Sequence, residues 1–437
     1  MPRTIQRART GCALHGALKA VKAVKGFIPI VHSNAGCSVQ EYLGGNLAGA
    51  GVGSGHLSGL EIASSNVSEK QIIFGGTSRL REEIKNTVKV LAGDLYIVLS
   101  GCSTEIVGDD IPAMTKEAKE QGFPVIHVST PGFRGDVREG YKLLFKGIVD
   151  QLGEIGGEQG EKVTGLVNIL GVIPEQDVFW EGNLDRVKRL FESVGVKANT
   201  LFGFGQSIEN WKLIGSAQLN IALSPWGIDV AKYLEEKYGT PFLEVGNIPS
   251  GFEDSRDLLV QTGEKLGLDP GPIRNIIQSE EDRLSYDLRR AADLYLRHDF
   301  QKEFVIVGES HQVKALLKLL CGHLGLVAKA AVITDLAPDT EHAGFEQNLK
   351  ELAGDNAIEI LFTGDGEEIN RFIRKNKPQL VVGSSFEKNV AAELKIPLLQ
   401  TAFPLKGKLV LNRSYAGFRG AVELLEDLGD ALLGHEK

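Results

Sequence analysis

Three cysteines, Cys12, Cys37 and Cys102, fall within the first 102 residues of this 437-residue chain, and a fourth, Cys321, stands far from them. A thiolate is a nucleophile, a redox group or a soft metal ligand. Each early cysteine follows a glycine: Gly11, Gly36 and Gly101. Glycine lets backbone approach a bulky inorganic group closely, and peptide N–H groups in such turns can hydrogen-bond cluster sulfides. No compact CxxC pair marks a zinc ribbon, and three thiolates are too few for an ordinary four-thiolate iron–sulfur cluster. A non-cysteine ligand or a second chain must complete such a site. Three buried structural thiols remain the bland alternative at this point. Cys321, within Leu316–Gly322, reads as a core residue on an apolar helix.

The elements around the cysteines alternate. Short apolar runs predict strands at 27–31, 95–99 and 125–128, and a helix-like segment, 13–25, follows Cys12. Cys37 and Cys102 thus sit just past strand carboxyl ends, where doubly wound sheets place ligands. The middle of the chain repeats the rhythm: strands at 163–171, 219–223 and 242–245, helices at 184–193 and 230–238. The last third reads as strands at 304–308, 330–333, 358–362, 380–383 and 397–399. Its helices fall at 345–352, 367–374 and after Ser310, a predicted N-cap. Strand–helix alternation predicts an α/β chain of three Rossmann-like domains with mostly parallel sheets. The expected units are 1–155, holding the cysteines; 156–300; and 301–437, ending in a helical tail. Gly153–Gly160 and Arg297–Glu303 are the expected joints.

Composition narrows the function. A net charge of −9 without a basic run argues against nucleic acid or an anionic membrane as partner. There is no apolar stretch of membrane-spanning length, and the first seven residues lack the apolar core of a secretory signal, so a cytoplasmic location is expected. Cysteines there are metal ligands, catalytic groups or core fillers rather than disulfides. No GxxxxGK[ST] loop occurs, and Gly203-Phe204-Gly205 lacks the third glycine of a dinucleotide fingerprint.

The motifs resemble those of nitrogenase component 1. Gly11-Cys12-Ala13-Leu14-His15-Gly16-Ala17 and Ile28-Pro29-Ile30-Val31-His32-Ser33-Asn34-Ala35-Gly36-Cys37 look like that family's first two cluster cysteines, 25 positions apart. Phe74-Gly75-Gly76 resembles its FGG helix start. Ser100-Gly101-Cys102 with Gly108-Asp109-Asp110 resembles the third cysteine and its acidic tail. Ser129-Thr130-Pro131-Gly132-Phe133-Arg134-Gly135 resembles the TPxFxG turn. Val167–Gly171 and Tyr415–Gly420 extend the likeness along the chain.

The resemblance implies a set of expectations. Cys12, Cys37 and Cys102 would ligate an iron–sulfur cluster, either a P-cluster-like 8Fe–7S body shared with a partner or a 4Fe–4S cluster. Gly36, Gly101 and His32 would stand against it. The partner would be a homologous α-type subunit in an α2β2 assembly, with a separate ATP-dependent iron protein delivering electrons. Leu223 aligns where the α-type subunit carries a cofactor-ligating cysteine, so the chain resembles the β-type subunit. Two features depart from that type: Ser33 stands where a glycine is frequent, and Gly132 stands where a serine can ligate the oxidised cluster. The chain then reads as the electron-relay subunit of an oxidoreductase whose substrate is open. A cofactor-assembly scaffold and a non-redox small-ligand-binding α/β protein are the alternatives.

Other polar groups have plainer readings. His15 can hydrogen-bond a cluster sulfur or simply pack. Glu105, Asp109 and Asp110 complement a helix N-terminus. Arg79 and Arg81 read as solvated, and Trp180, Trp211 and Trp226 as core.

Overall fold

The computed structural model describes residues 5–45, 48, 62–156, 160–336, 342–354 and 358–435. Three parallel sheets carry the fold. The first comprises β1 (Phe27–His32), β2 (Ala63–Ser64), β3 (Leu95–Ser100) and β4 (Val125–Ser129), in the order β2-β1-β3-β4. The second comprises β5 (Leu166–Leu170), β6 (Lys197–Asn199), β7 (Leu219–Ala222) and β8 (Phe242–Glu244), ordered β6-β5-β7-β8. The third comprises β9 (Glu303–Gly308), β10 (Val327–Ile333), β11 (Glu359–Phe362), β12 (Leu380–Gly383) and β13 (Leu398–Gln400), ordered β11-β10-β9-β12-β13. Residues of β1, β3 and β5 are buried throughout. Helices cover both faces of a parallel sheet, so its strands read as continuous apolar runs rather than alternating ones. The expected three-sheet α/β class is what the chain adopts.

In each sheet the winding reverses beside its first strand. The reversal points are β1/β3, β5/β7 and β9/β12. Such points leave a crevice at the strand carboxyl ends. Cys37 and Cys102 follow the two strands that flank the first of these crevices.

One apolar cluster runs from Leu14 to Ile273 and takes in Ala416 and Phe418, so the first two sheets share a continuous core. Trp211 sits in it, with ring centres 6.1 Å from Phe27, 5.1 Å from Phe145 and 5.5 Å from Phe202. Trp180 and Trp226 are buried as well. The helices Ala13–Lys22 and Val137–Gln151 cross at unusually close range. A Cβ on Gly16 would fall 2.1 Å from the Val137 carbonyl oxygen, and one on Gly140 1.9 Å from that of Ala13. Those two glycines let the helix that begins at Cys12 lie directly on its neighbour.

Several boundaries differ from expectation. The strand expected at 163–171 is trimmed to Leu166–Leu170 because Gly165 and Gly171 take positive φ and end the extended run. The helix after Cys12 stops at Lys22, ahead of Gly26 at φ 82°. Ser310 is the first helical residue rather than the N-cap, a place Glu309 takes; the Ser310 hydroxyl donates instead to Asp335 at 2.6 Å. That helix, Ser310–Leu317, runs on as a π-helical turn, Lys318–His323, which carries Cys321 half-buried against the third unit's core. A 28-residue helix, Pro270–Arg297, lies where no element is expected; only its Ile273 is fully buried, and the rest of its apolar stripe, Ile277, Leu284, Leu288 and Tyr295, is partly covered by the core. The chain's last described helix is Gly420–His435. Residues 157–159 of the expected Gly153–Gly160 joint lie outside the described residues. Among the described residues no helix is long and apolar enough to cross a membrane.

Candidate metal centre

All three early cysteines stand at helix beginnings rather than in open loops. Cys12 is the N-cap residue of Ala13–Lys22; its backbone bridges Asp136, and the Ala13 N–H donates to the Gly135 carbonyl at 2.9 Å. Cys37 lies in the first turn of Ala35–Gly45, and Cys102 opens Cys102–Val107. Unsatisfied N–H groups and the dipole at such ends favour a thiolate.

Gly132 brings two of the sulfurs together. Its N–H donates to Cys102 Sγ at 3.1 Å, and a Cβ on it would lie 3.2 Å from both Cys102 Sγ and Cys12 Sγ. Cys37 joins through His15. The His15 Nδ1 lies 3.3 Å from Cys12 Sγ and its Nε2 lies 3.3 Å from the Cys37 carbonyl oxygen. Burial works against charge on both members of the Cys12–His15 pair. Their mutual hydrogen bond and attraction outweigh it, holding the thiol below and the imidazole above their ordinary values. Cys37 Sγ lies 3.3 Å from Ser33 Oγ. Cys12 and Cys37 are half-buried, Cys102 is exposed, and all four cysteines are free thiols. Among the described residues, no three His, Cys, Asp or Glu side chains are disposed to hold a single metal ion.

The glycines and His32 stand differently from one another. A Cβ on Gly101 would meet Ser33 Oγ at 2.1 Å, so that glycine serves the packing of one cysteine turn on the other. Gly36 has open space around its Cβ position. His32 is buried, with Nδ1 2.9 Å from Ser65 Oγ and Nε2 3.0 Å from Asp109 Oδ2. Both ring nitrogens face these partners rather than a sulfur. Burial, opposed by Asp109, keeps its pKa below the ordinary value, so the ring stays neutral and donates to the carboxylate. Asp109 also accepts from the Gly76 N–H at 2.6 Å and from Thr77 Oγ1 at 3.3 Å. It bridges the Cys102 segment to the Gly75-Gly76 turn and sits at a helix start, that of Thr77–Val90 rather than of the helix next to it in sequence. Asp110 does cap Ile111–Glu120, and Glu105 accepts from the Ser100 hydroxyl. A side chain on Gly76 would strike Asp109 at 2.5 Å, and Gly75 sits at φ 89°, which accounts for both glycines of that turn. Thr130 is buried, its hydroxyl donating to the Ser100 carbonyl at 3.0 Å. Arg79 donates to the Ser65 carbonyl at 2.9 Å and Arg81 to Glu117 at 2.8 Å, so neither is merely solvated.

The rim of this site is apolar and open. Val39, Ile73, Phe74, Ile106 and Phe133 are all more than half exposed. Val39, Ile106 and Phe133 belong to the Cys37, Cys102 and Gly132 segments themselves, and the helix carrying Ile73 and Phe74 packs on Cys102–Val107. Exposed apolar residues gathered on the segments that carry the thiols point to a contact surface. A groove of about 390 Å³ between Leu184, Lys188, Phe202, Phe204 and Leu411 lies elsewhere, near the loop that takes a hydrogen bond from Lys25, past the far end of the Cys12 helix.

Residues 12–433 match the family model described as nitrogenase component 1 type oxidoreductase. The beta chain of the vanadium-iron nitrogenase of Trichormus variabilis is 29% identical over 96% of this chain and 91% of its own length. The molybdenum-iron beta chain of Clostridium pasteurianum is 24% identical over 98% and 93%. The nitrogenase iron-molybdenum cofactor biosynthesis protein NifE of Rippkaea orientalis is 26% identical over 97% and 85%. The solved structure of nitrogenase Cp1 at pH 6.5 superposes with a TM-score of 0.81 at 21% identity, covering 99% of this chain and 95% of that one.

Proposed function

This chain belongs to the family of nitrogenase component 1 type oxidoreductases, as a β-type subunit, and we propose that within it Cys12, Cys37 and Cys102 hold one half of an iron–sulfur cluster completed by an α-type partner. The observation that carries this reading is the convergence of Cys12 and Cys102 on Gly132, with Cys37 tied in by His15. A cluster bound there supplies one-electron transfer. The residues of this chain present thiolates at three helix N-termini, and the Gly132 N–H supports the Cys102 sulfur. His15 takes up the thiol proton of Cys12 or returns a hydrogen bond to its thiolate. His32 and Asp109 act behind the site by fixing the turns that carry the sulfurs.

Three thiolates leave a larger cluster's ligand shell incomplete, and exposed apolar side chains stand on the same segments as the thiols. Both features support a cluster buried at the face shared with the α-type subunit, as an 8Fe–7S body in an α2β2 assembly, with 4Fe–4S as the smaller possibility. Electrons would arrive from an ATP-dependent iron protein and pass to the partner's substrate site. Iron and acid-labile sulfide in the anaerobically purified complex test the proposal. Ala at Cys12, Cys37 or Cys102 should lower both, and Ala at Cys321 should not. Equal loss at Cys321 would mean that the ligand set is wrong.

The likeness to a cofactor biosynthesis protein supports a second reading, a scaffold on which a cofactor precursor is assembled. Turnover separates the two. A relay subunit oxidises the reduced iron protein catalytically, whereas a scaffold hands a bound cluster to another protein once.

A further inference from the structure

We propose that Arg9 is a positioning residue for Cys12, and that the segment Gln6–Arg9 is a strap that ties the first cysteine to the third sheet. The Arg9 guanidinium is buried, 6% exposed, beyond the carboxyl end of β12, at the reversal point of that sheet. It donates to Ser384 Oγ at 3.0 Å and pairs with Glu387, which is itself fully buried. The Phe386 ring lies 5.4 Å beneath it. Doubly wound sheets receive ligands at this crevice. Here the chain's own cation fills it.

The strap is laced on both sides of Arg9. Gln6 donates its N–H to Asp365 at 3.1 Å and accepts from the Gly366 N–H at 2.8 Å, and Arg7 donates to the Phe386 carbonyl at 3.3 Å. A Cβ on Gly366 would press on the Gln6 carbonyl oxygen at 3.0 Å. Gln176 Nε2, from the second unit, donates to the Arg9 carbonyl at 3.2 Å and to Glu309 at 2.9 Å. Glu309 takes Arg138 at 3.2 Å, and Arg138 pairs with Asp136, whose backbone bridges Cys12. A closed circuit of polar contacts therefore surrounds the stretch from Arg9 to Cys12 and involves all three sheets' units. A buried guanidinium stripped of its carboxylate is strongly unfavourable, so the pair fixes the strap in one place. Movement of the third unit against the first is thereby transmitted to the Cys12 sulfur.

The inference rests on the reading of Cys12 as a cluster ligand. Its test uses the cluster-loaded complex, purified anaerobically, in parent form and as Arg9→Met, Glu387→Met and the double variant. Single variants leave one buried charge unpaired and should lose melting temperature. The double variant removes both charges and should recover it. In the double variant the Gln6 and Gly366 amides should still exchange hydrogen at least about ten-fold faster than in the parent, a loss of local protection. Its electron paramagnetic resonance spectrum or midpoint potential should also remain shifted, at unchanged iron content. A double variant with parent-like exchange overturns the strap. One with fast exchange and a parent-like spectrum overturns the positioning role and leaves the cluster reading intact. Full iron in Cys12→Ala overturns the cluster reading itself.

Discussion

Gly132 occupies the space between two sulfurs, and its lack of a side chain is what leaves that space open. Its φ is not in the left-handed region, so a side chain there meets no backbone strain, only the Cys12 side chain and the Cys102 sulfur. Gly132→Ser should place a hydroxyl beside Cys12 and Cys102. Once the cluster is oxidised and the serine deprotonated, iron should gain an oxygen ligand, seen as a new light scatterer in X-ray absorption of the oxidised form alone. Identical spectra for parent and variant in both redox states would remove Gly132 from the ligand shell's edge. Buried Thr130 is already committed to Ser100, so it offers no substitute. The cysteines were legible in the sequence because thiol chemistry and glycine flanks are local signals. The role of Asp109 was not: it fills a turn 33 positions away, at Gly76, and only the folded chain brings the two together. His32 likewise stood beside the right motif but spends both ring nitrogens on Ser65 and Asp109.

At the scale of elements, the site depends on where the helix Ala13–Lys22 lies, and that depends on Gly16 and Gly140. Gly140→Ala should destabilise the protein by about 1–3 kcal/mol, the usual cost of overpacking, read as a lower urea midpoint. Gly153→Ala, with open space at its Cβ, should stay within about 0.5 kcal/mol of the parent. An unchanged midpoint for Gly140→Ala would mean that the two helices are free to separate and that the Cys12 turn is less tightly set than the contacts indicate. Parallel strands could be read because burial on both faces writes them as unbroken apolar runs. The helix Pro270–Arg297 is harder to read: Ile273, Ile277, Leu284, Leu288 and Tyr295 do recur at helical spacing, but charged residues separate them and all except Ile273 are only partly buried. The capping role given to Ser310 failed for a different reason: Asp335, at the end of another strand, captured its hydroxyl.

Across the whole molecule, the units meet through buried titratable groups whose behaviour sets the acid response. His311 stands edge-on to Trp226 at 4.9 Å and is buried, which pushes its pKa down to about 4 from 6.5. As pH falls through 6.5 the unfolded chain takes the proton first, so stability is lost from there toward 4, by at most about 3 kcal/mol at 1.36 kcal/mol per unit. Asp177 runs the other way: burial raises it to about 6 from 3.8, so the folded state gains as pH falls from 6. His311→Gln should therefore flatten the loss of stability between pH 6.5 and 4, and Asp177→Asn should steepen it below pH 6, both read by denaturant titration across that range. Parallel curves for parent and both variants would show that neither group titrates differently on folding. The same molecular scale holds the central claim, that the three early cysteines face a partner across a shared cluster. The most direct measurement is anomalous scattering at the iron edge from crystals of the anaerobically purified complex. The account predicts iron within bonding distance of Cys12, Cys37 and Cys102 Sγ, enclosed between this chain and its partner. Iron bound at Cys321, or none beside the three early sulfurs in an iron-replete complex, would contradict it.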